Sequence, residues 1–273
     1  MAFLLDSRNG PAFDLPAPVE GAQTWIAASV PRSGSTLLCR TLWDTGGVGA
    51  PKEYLNAMQL RDWEVRLGTS LVARVGYGLL TGRASGLASG AGWTQERFAA
   101  HVERVRSRRS DASGRFGLKI HYHHFENWFL TRGWSVEDLL APQRWVRISR
   151  EDRVAQAVSW ARALQTGRWT IHQRASTPSF YRASQIDRLV AEIERQEAGW
   201  DDYFASRGIA PFRLTYEELV GDLQGTIRRV LGFLGAPNAA DACVADVALR
   251  RQANEVNARW IERYRASRML GSG

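Results

Sequence analysis

The sequence predicts an α/β fold in which a central parallel sheet is flanked by helices. Short apolar runs of strand length alternate with longer stretches whose apolar residues recur at helical spacing. The first apolar run ends in a Ser/Gly-rich turn, residues 30–36, that opens directly into a helical pattern. Strands separated by helices favour parallel pairing, because each helix carries the chain back to the same edge of the sheet.

Four apolar runs predict the strands of this sheet. They are residues 25–28, 116–120, 145–148 and 212–216. Strands 145–148 and 212–216 each lead straight into a helical pattern, as the first strand does. Since the carboxyl ends of parallel strands share one edge, residues that follow these strands are expected to lie together.

Helical patterns fill most of the remaining chain. The predicted helices start near residues 35 and 95, cover 134–140, 154–164 and 184–206, run through 227–234, and end the chain at about 247–267. Thr94 is the expected N-cap of the second helix, whose arginines Arg104, Arg106, Arg108 and Arg109 are expected to form a solvated face. Residues 56–92 show mixed periodicity and receive no assignment.

Composition indicates a globular protein with an excess of positive charge. The 273 residues are 44% hydrophobic and 23% charged, with a formal net charge of +8. Nearly all the cations are arginines, since lysine occurs only at Lys52 and Lys119. Such a balance favours anionic ligands. Because the arginines are spread along the chain without a basic tail or an aromatic single-strand motif, we expect no nucleic-acid partner.

Cysteine usage and the chain start bear on location and domain organisation. Cys39 and Cys243 fall in helical patterns, so we expect reduced core residues of a cytoplasmic protein rather than a disulfide. We expect no signal peptide, because the apolar segment at the start is short and lacks a basic lead, and no apolar run approaches transmembrane length. Residues 1–21, with three prolines, predict an irregular lead-in, and residues 22–273 a single domain.

The turn after the first strand has the composition of an anion-binding loop. A strand, tight turn and helix start point backbone N–H groups and the positive end of a helix dipole at one place. Gly34 permits close approach, while Arg32 adds charge and three residues add hydroxyls: Ser33, Ser35 and Thr36. Compared with the nucleotide-binding P-loop, Ser29 replaces the first glycine and Ser35 replaces the lysine.

A second anion site is predicted after the third strand. Arg150 lies at the carboxyl edge of the sheet, and Ser159 lies on the helix that leaves it. An arginine fork and a hydroxyl suit a phosphate group. Together with the first loop, they suggest a nucleotide that carries phosphates at both ends of its ribose.

These segments resemble those of sulfotransferases that use 3′-phosphoadenosine 5′-phosphosulfate (PAPS), and most closely the trehalose 2-sulfotransferase family. The resemblance covers most of the chain and rests on six motifs in matching order: Arg32 to Leu38, Pro51-x-Glu53, Gly117-x-Lys119, Arg150 through Gln156 to Ser159, Gln196-Glu197-x-Gly199-Trp200, and Arg251-Gln252-Ala253 followed by Trp260-x-Glu262-Arg263-Tyr264. It implies a P-loop-like sulfotransferase fold over residues 22–273.

The resemblance also implies roles for individual residues. The loop residues Arg32, Ser33, Gly34, Ser35 and Thr36 would hold the 5′-phosphosulfate, Arg150 with Ser159 the 3′-phosphate, and Arg251 with Gln252 would close over the nucleotide. Arg32 would also stabilise charge on the leaving group, so no metal is needed. A homodimer is implied as well.

Two residues compete for the role of base on the acceptor hydroxyl. Glu53 matches the carboxylate proposed as base in the trehalose enzyme, and burial beside Tyr54 and Leu55 is expected to raise its pKa. His121 is the alternative, because Lys119-Ile120-His121 resembles the Lys-x-His of cytosolic sulfotransferases. We favour Glu53. Lys119 is expected to contact the sulfuryl group or the acceptor.

The sequence therefore predicts an enzyme that moves a sulfuryl group from PAPS, in line, to a hydroxyl of a carbohydrate or glycolipid. Histidines 121, 123 and 124 lack the cysteine or carboxylate spacing of a zinc site, so no metal is expected. A kinase or nucleotide hydrolase on the same fold is one alternative, disfavoured by the missing loop lysine. A non-enzymatic nucleotide-binding module is another.

Overall fold

The sheet consists of four parallel strands in the order β2-β1-β3-β4. The strands are β1 (Gln23–Ser29), β2 (Arg115–His121), β3 (Pro142–Ser149) and β4 (Phe212–Thr215). The computed structural model describes residue 4 and residues 6–15, 23–68, 92–169, 176–241 and 255–270. Within them, each strand predicted from an apolar run is confirmed, and helices flank the sheet as expected.

Ten α-helices are described in these ranges. They are α1 (Ser35–Asp44), α2 (Ala57–Leu67), α3 (Gln95–Arg109), α4 (Tyr122–Phe125), α5 (Val136–Leu140), α6 (Arg153–Thr166), α7 (Ala183–Ser206), α8 (Tyr216–Gly221), α9 (Leu223–Phe233) and α10 (Glu255–Leu270). Thr94 caps α3 as predicted, accepting a hydrogen bond from the Arg97 N–H. The short α4 and the π-helical turn after it, Glu126–Leu130, were not predicted.

Side chains of the strands alternate between two hydrophobic clusters, one on each face of the sheet. On β1, Ile26 and Ala28 face a cluster that includes Trp200 of α7. Trp25 and Ala27 face the opposite cluster, which contains Leu38 and Leu42 of α1 together with α9. The sheet is therefore covered on both faces, as a parallel sheet requires.

The lead-in is packed more tightly than its composition suggested. Arg109 is fully buried, and its guanidinium donates to the carbonyls of Arg8, Gly10 and Phe13. The prediction of a solvated face was therefore wrong for Arg109. Arg109 is the last residue of α3 and lies against the lead-in, where its two terminal nitrogens replace the water that these carbonyls would otherwise bind.

The segment after α1 runs beside β2 and adds to its outer edge. Lys52 forms a parallel bridge with Leu118, and the Lys119 N–H donates to the Lys52 carbonyl at 3.0 Å. Gly117 permits this approach, because a Cβ there would lie 2.7 Å from Cβ of Pro51. The bridge at Lys52 places the next residue, Glu53, near the carboxyl end of β2.

Some predictions fall outside the described residues. Cys243, Arg251 and Gln252 belong to this group, as do residues 69–91 of the unassigned stretch. Cys39 is a free, buried thiol. None of the helices in the described part of the chain combines the length and the apolar character needed to cross a bilayer.

Candidate active site

The site lies at the carboxyl edge of the sheet, around the end of β1. Because β1 sits between β2 and β3, the chain leaves all three strands at neighbouring points. Ser29, the last residue of β1, is in register with His121 on one side and Ile148 on the other. The topology thus brings together the loop after β1, the end of β2, and Arg150 after β3.

The loop has the backbone geometry of an anion site. Gly34 has φ of 88° and precedes α1, whose first N–H groups have no partner within the helix. A side chain on Gly34 would also collide with Tyr216, since a Cβ there would lie 2.5 Å from Cδ2. Ser33 is fully buried, and among the described residues its Oγ has no hydrogen-bond partner. Both features fit a ligand in the loop.

Arg32 reaches from the loop to α6. Its Nε donates to Oγ of Ser159 at 2.9 Å, and a terminal nitrogen donates to the carbonyl of Trp169 at 2.7 Å. Its backbone is left-handed, with φ of 67°, a strained conformation for a residue with a side chain. Burial and the nearby charge of Arg150 lower the pKa of Arg32 from its ordinary value.

Arg150 and Ser159 do not bond to each other in this structure. Ser159 is the partner of Arg32, whereas the Arg150 guanidinium lies 4.7 Å above the ring of Tyr216. Arg150 Nε is 3.9 Å from Oε1 of Glu217. The predicted pair nevertheless lies beside the loop. Arg32 donates a hydrogen bond to Ser159, and the charge of Arg150 is close enough to lower the pKa of Arg32. Their assignment to a 3′-phosphate stays a prediction.

Glu53 is the centre of the second half of the site. Its Oε1 lies 2.5 Å from Nζ of Lys119 and 3.1 Å from Nε2 of His121. Its Oε2 accepts a hydrogen bond of 2.8 Å from Nδ2 of Asn56. Lys119 and His121 alternate with the buried Leu118 and Ile120, so they point to the face of the sheet that α1 covers.

The pKa of Glu53 moves opposite to the sequence-based expectation. Burial alone would raise it, but the charge of Lys119 and the hydrogen bond from His121 outweigh burial and hold the pKa well below its ordinary value. The expectation took account of the apolar neighbours Tyr54 and Leu55 only. Glu53 is therefore ionised at neutral pH and accepts protons weakly while Lys119 stays beside it.

Lys119 links this carboxylate to the anion loop. Besides its ion pair with Glu53, Nζ donates to Oγ1 of Thr36 at 3.0 Å. Thr36 lies in the first turn of α1, which begins directly after Gly34 of the loop. A single ammonium group thus spans the distance between the loop and Glu53.

His121 is held from both sides of its ring. Nδ1 lies 2.9 Å from Oγ of Ser29, and Nε2 faces Glu53. Burial lowers the pKa of His121, although the Glu53 carboxylate opposes the shift. The ring centroids of His123 and His124 lie 5.9 and 6.1 Å from the ring centroid of His121. Across the described ranges, no group of three or more potential ligands is arranged to hold a metal ion.

Three contributors were missed by sequence reasoning. Ser29 was noted only as a departure from the P-loop pattern, Asn56 lay in the unassigned stretch, and Tyr216 was assigned only to the end of the predicted strand 212–216. Asn56 could have been found as a helix N-cap, because Asn is a preferred residue at that position. In the structure its Oδ1 accepts a hydrogen bond from the Gln59 N–H at the start of α2. Nothing local in the sequence connects Ser29 to His121.

Comparisons with known proteins support the sulfotransferase resemblance that the motifs indicated. Residues 24–267 match the family model described as Stf0 sulphotransferase. Two relatives are each named trehalose 2-sulfotransferase. The one from Mycobacterium tuberculosis is 27% identical over 267 residues, spanning 89% of this chain and 94% of the relative. The one from Mycolicibacterium smegmatis is 28% identical over 264 residues, spanning 88% and 94%.

Among solved structures, the sulfotransferase domain from the Synechococcus PCC 7002 olefin synthase covers 92% of this chain and 98% of its own. Its TM-score of 0.42 and identity of 13% are too low to carry an argument. The family model, in contrast, spans nearly the whole sequence and includes every described residue of the loop and of the Glu53 cluster. The chain belongs to the Stf0 sulphotransferase family.

Proposed function

We propose that this protein transfers the sulfuryl group of PAPS, in line, to a hydroxyl group of a carbohydrate or glycolipid. The observation that carries the proposal is the position of Lys119, whose Nζ contacts both Thr36 of the anion loop and Glu53. An anion site and an ionised carboxylate therefore lie one side chain apart. Sulfuryl transfer to an alcohol requires that proximity, with the donor on one side and a base on the other.

The donor end of the proposal rests on the loop. Arg32, Ser33, Gly34, Ser35 and Thr36 would hold the 5′-phosphosulfate. The buried Oγ of Ser33, which has no hydrogen-bond partner in the part of the chain that the structure describes, is a hydroxyl suited to it. PAPS supplies the sulfuryl group and departs as adenosine 3′,5′-bisphosphate. Arg32 contributes a permanent charge where the leaving group becomes negative, so its charge counts most in the transition state.

The remainder of the donor site is assigned by resemblance. Arg150 and Ser159 would bind the 3′-phosphate, and Arg251 with Gln252 would close over the nucleotide. In support of the first pair, Arg32 already joins Ser159 to the loop and Gln156 Nε2 donates to the Pro31 carbonyl at 2.8 Å. Helix α6 is thereby fastened to the loop that would carry the other end of the donor.

Glu53 is the proposed base. It is ionised, and its two oxygens are held by His121 and Asn56, so the carboxylate has a defined orientation. Its basicity is low only while Lys119 neutralises it. When Lys119 turns toward the negative charge of the donor, the carboxylate loses its strongest partner and its pKa rises. Donor binding would in this way prepare the base.

The acceptor class comes from the relatives. Both are named for a sugar, trehalose, and identities of 27% and 28% over most of both chains support a sugar hydroxyl here as well. We further propose a single sulfotransferase domain over residues 22–273, a homodimer, and a cytoplasmic location.

Titration calorimetry tests the donor. We expect adenosine 3′,5′-bisphosphate to bind without Mg²⁺ and binding to weaken sharply in Arg32→Ala. Binding of ATP only with Mg²⁺ would point to a kinase or hydrolase, and a steep salt dependence with DNA to a nucleic-acid binder. Failure of the bisphosphate to bind would overturn the proposal.

An acceptor screen tests the reaction. Sugars, glycolipids and phenols are incubated with the enzyme and isotopically labelled PAPS, and products are read by mass spectrometry. We expect a labelled sulfate ester with at least one carbohydrate. Sulfation of phenols alone would contradict the acceptor class and leave the donor assignment standing.

A further inference from the structure

We propose that Ser29 is a positioning residue that fixes His121 as the Nε2–H tautomer, so that His121 orients Glu53 and does not itself take the acceptor's proton. The role of Glu53 as base rests on the proposed function. The tautomer of His121 does not, since it follows from contacts among Ser29, His121 and Glu53 themselves.

The sheet register creates this contact. Ser29 and His121 are paired residues of β1 and β2, and neighbouring parallel strands point paired side chains to the same face. Both side chains are buried, with 2.9 Å between Ser29 Oγ and His121 Nδ1. The end of β1 is held in turn by Trp200, whose Nε1 donates to the Ser29 carbonyl at 2.9 Å.

Proton accounting assigns the direction of each bond. An ionised carboxylate only accepts hydrogen bonds, so the Nε2 that faces Glu53 must carry a proton. A neutral imidazole carries one proton, which leaves Nδ1 as an acceptor. The Ser29 hydroxyl must then donate to Nδ1. The chain of donors runs from Ser29 through His121 to Glu53.

The charged ring is the competing state. In an imidazolium both nitrogens donate, and Ser29 would have to turn its proton to the Ile120 carbonyl, which is 3.4 Å away. Burial and the nearby charges of Lys119 and Arg32 disfavour that state, and they lower the pKa of His121 despite the attraction of Glu53. His123 and His124, the other histidines around the ring, are half-buried, and desolvation lowers the pKa of each.

The consequence concerns the choice of base. With Nε2 protonated and Nδ1 occupied by Ser29, neither ring nitrogen has a lone pair available for an acceptor hydroxyl. His121 instead donates to the carboxylate and fixes one of its oxygens. The serine at the position of the first P-loop glycine thus acquires a physical role, because a glycine there has no hydroxyl to donate.

Long-range ¹⁵N–¹H NMR of the imidazole groups tests the tautomer in the unliganded protein at neutral pH. The chain has five histidines, and the His121 signals are assigned by their loss in His121→Gln. We expect a protonated Nε2 and a bare Nδ1 in the wild type. We also expect the Nδ1 resonance to move in Ser29→Ala and to return in Ser29→Thr, which retains the hydroxyl. A protonated Nδ1 in the wild type, or an unchanged Nδ1 resonance in Ser29→Ala, would overturn the inference.

Steady-state kinetics supply the second readout. We expect Ser29→Ala to lower kcat about tenfold to a hundredfold, as removal of a hydrogen-bond partner does for metal-bound histidines, with KM changed less than about twofold. Ser29→Thr should recover most of the loss. Normal kcat in Ser29→Ala would contradict the role. If the wild type transfers no sulfuryl group at all, the proposed function fails while the NMR result still decides the tautomer.

Discussion

Glu53 and Lys119 form a close ion pair, with 2.5 Å between Oε1 and Nζ, where the segment after α1 pairs with β2. The pair sets the charge state of the site. It keeps Glu53 ionised in a partly buried place that would otherwise favour the neutral acid. A single hydrogen bond, from Lys119 Nζ to Oγ1 of Thr36, connects the pair to the anion loop. Most of the predictions below concern this arrangement.

Removing the charge of Glu53 should nearly abolish turnover. For Glu53→Gln we expect kcat to fall on the order of a hundredfold or more, the usual range for loss of a general base. Product formation from PAPS is followed by mass spectrometry. Glu64→Gln is the matched control, because it breaks an ion pair with Arg97 outside the site. Near-normal turnover of Glu53→Gln would remove Glu53 from the role of base.

Asn56 allows orientation of the base to be separated from stability. It caps α2 through Oδ1 and donates to Glu53 through Nδ2. Serine retains a capping oxygen but loses the amide Nδ2–H that reaches Glu53, whereas alanine loses both. We expect Asn56→Ser and Asn56→Ala to lower kcat alike, and only the alanine variant to lose about 1 kcal/mol of unfolding free energy, measured in urea. Equal kcat in the wild type and Asn56→Ser would show that the donor does not matter.

The guanidinium of Arg32 should matter beyond its charge. Lysine cannot bond Ser159 and the Trp169 carbonyl together as Arg32 does. We expect Arg32→Ala to lower kcat about a hundredfold to a thousandfold and Arg32→Lys to fall between it and the wild type. Arg40→Lys, on α1 and paired with Asp44, is the control. A fully active Arg32→Lys would reduce the role of Arg32 to charge alone.

Loss of Lys119 should shift the pH profile. A positive charge beside a carboxylate lowers its pKa, so removing that charge lets burial raise the pKa of Glu53. The base must be ionised to act. In Lys119→Gln, the acidic limb of the kcat/KM profile for PAPS, which reports the free enzyme with Lys119 beside Glu53, should therefore move to higher pH, together with a lower plateau. Lys52→Gln removes the other lysine, and its acidic limb should stay where it is in the wild type.

His101 should make the fold sensitive to acid. Burial lowers its pKa to about 4, while the unfolded chain titrates near 6.5. The unfolded state thus binds the proton first as the pH falls, so stability present above about pH 6.5 is lost progressively toward pH 4. Between pH 7 and pH 5 this residue should account for a loss of about 2 kcal/mol.

Urea unfolding at the two pH values measures that loss. His101→Gln removes the titrating group while its amide can still donate to the Tyr54 carbonyl, the partner of Nε2. We expect the difference in unfolding free energy between pH 7 and pH 5 to be smaller in His101→Gln than in the wild type. An identical difference would show that His101 does not contribute to acid sensitivity.

Local sequence was sufficient for the framework. The apolar runs of β1 to β4, the helical spacing after each, and the Ser/Gly composition of the loop are short-range signals, and the structure contains the elements they predicted. The six motifs also led to the right family, since chemically specific residues in a matching order rarely arise together. Parallel pairing then placed the strand ends at one edge by geometry alone.

Charge state and contact partners required the three-dimensional structure. Whether Glu53 has a raised or lowered pKa depends on Lys119, which is distant in sequence and is brought close by the bridge between Lys52 and Leu118 of β2. Burial of Arg109 depends on the lead-in that folds over it. The meeting of Ser29 with His121 depends on sheet register. Local patterns specify elements, but electrostatic and hydrogen-bond energies depend on distances that only packing sets.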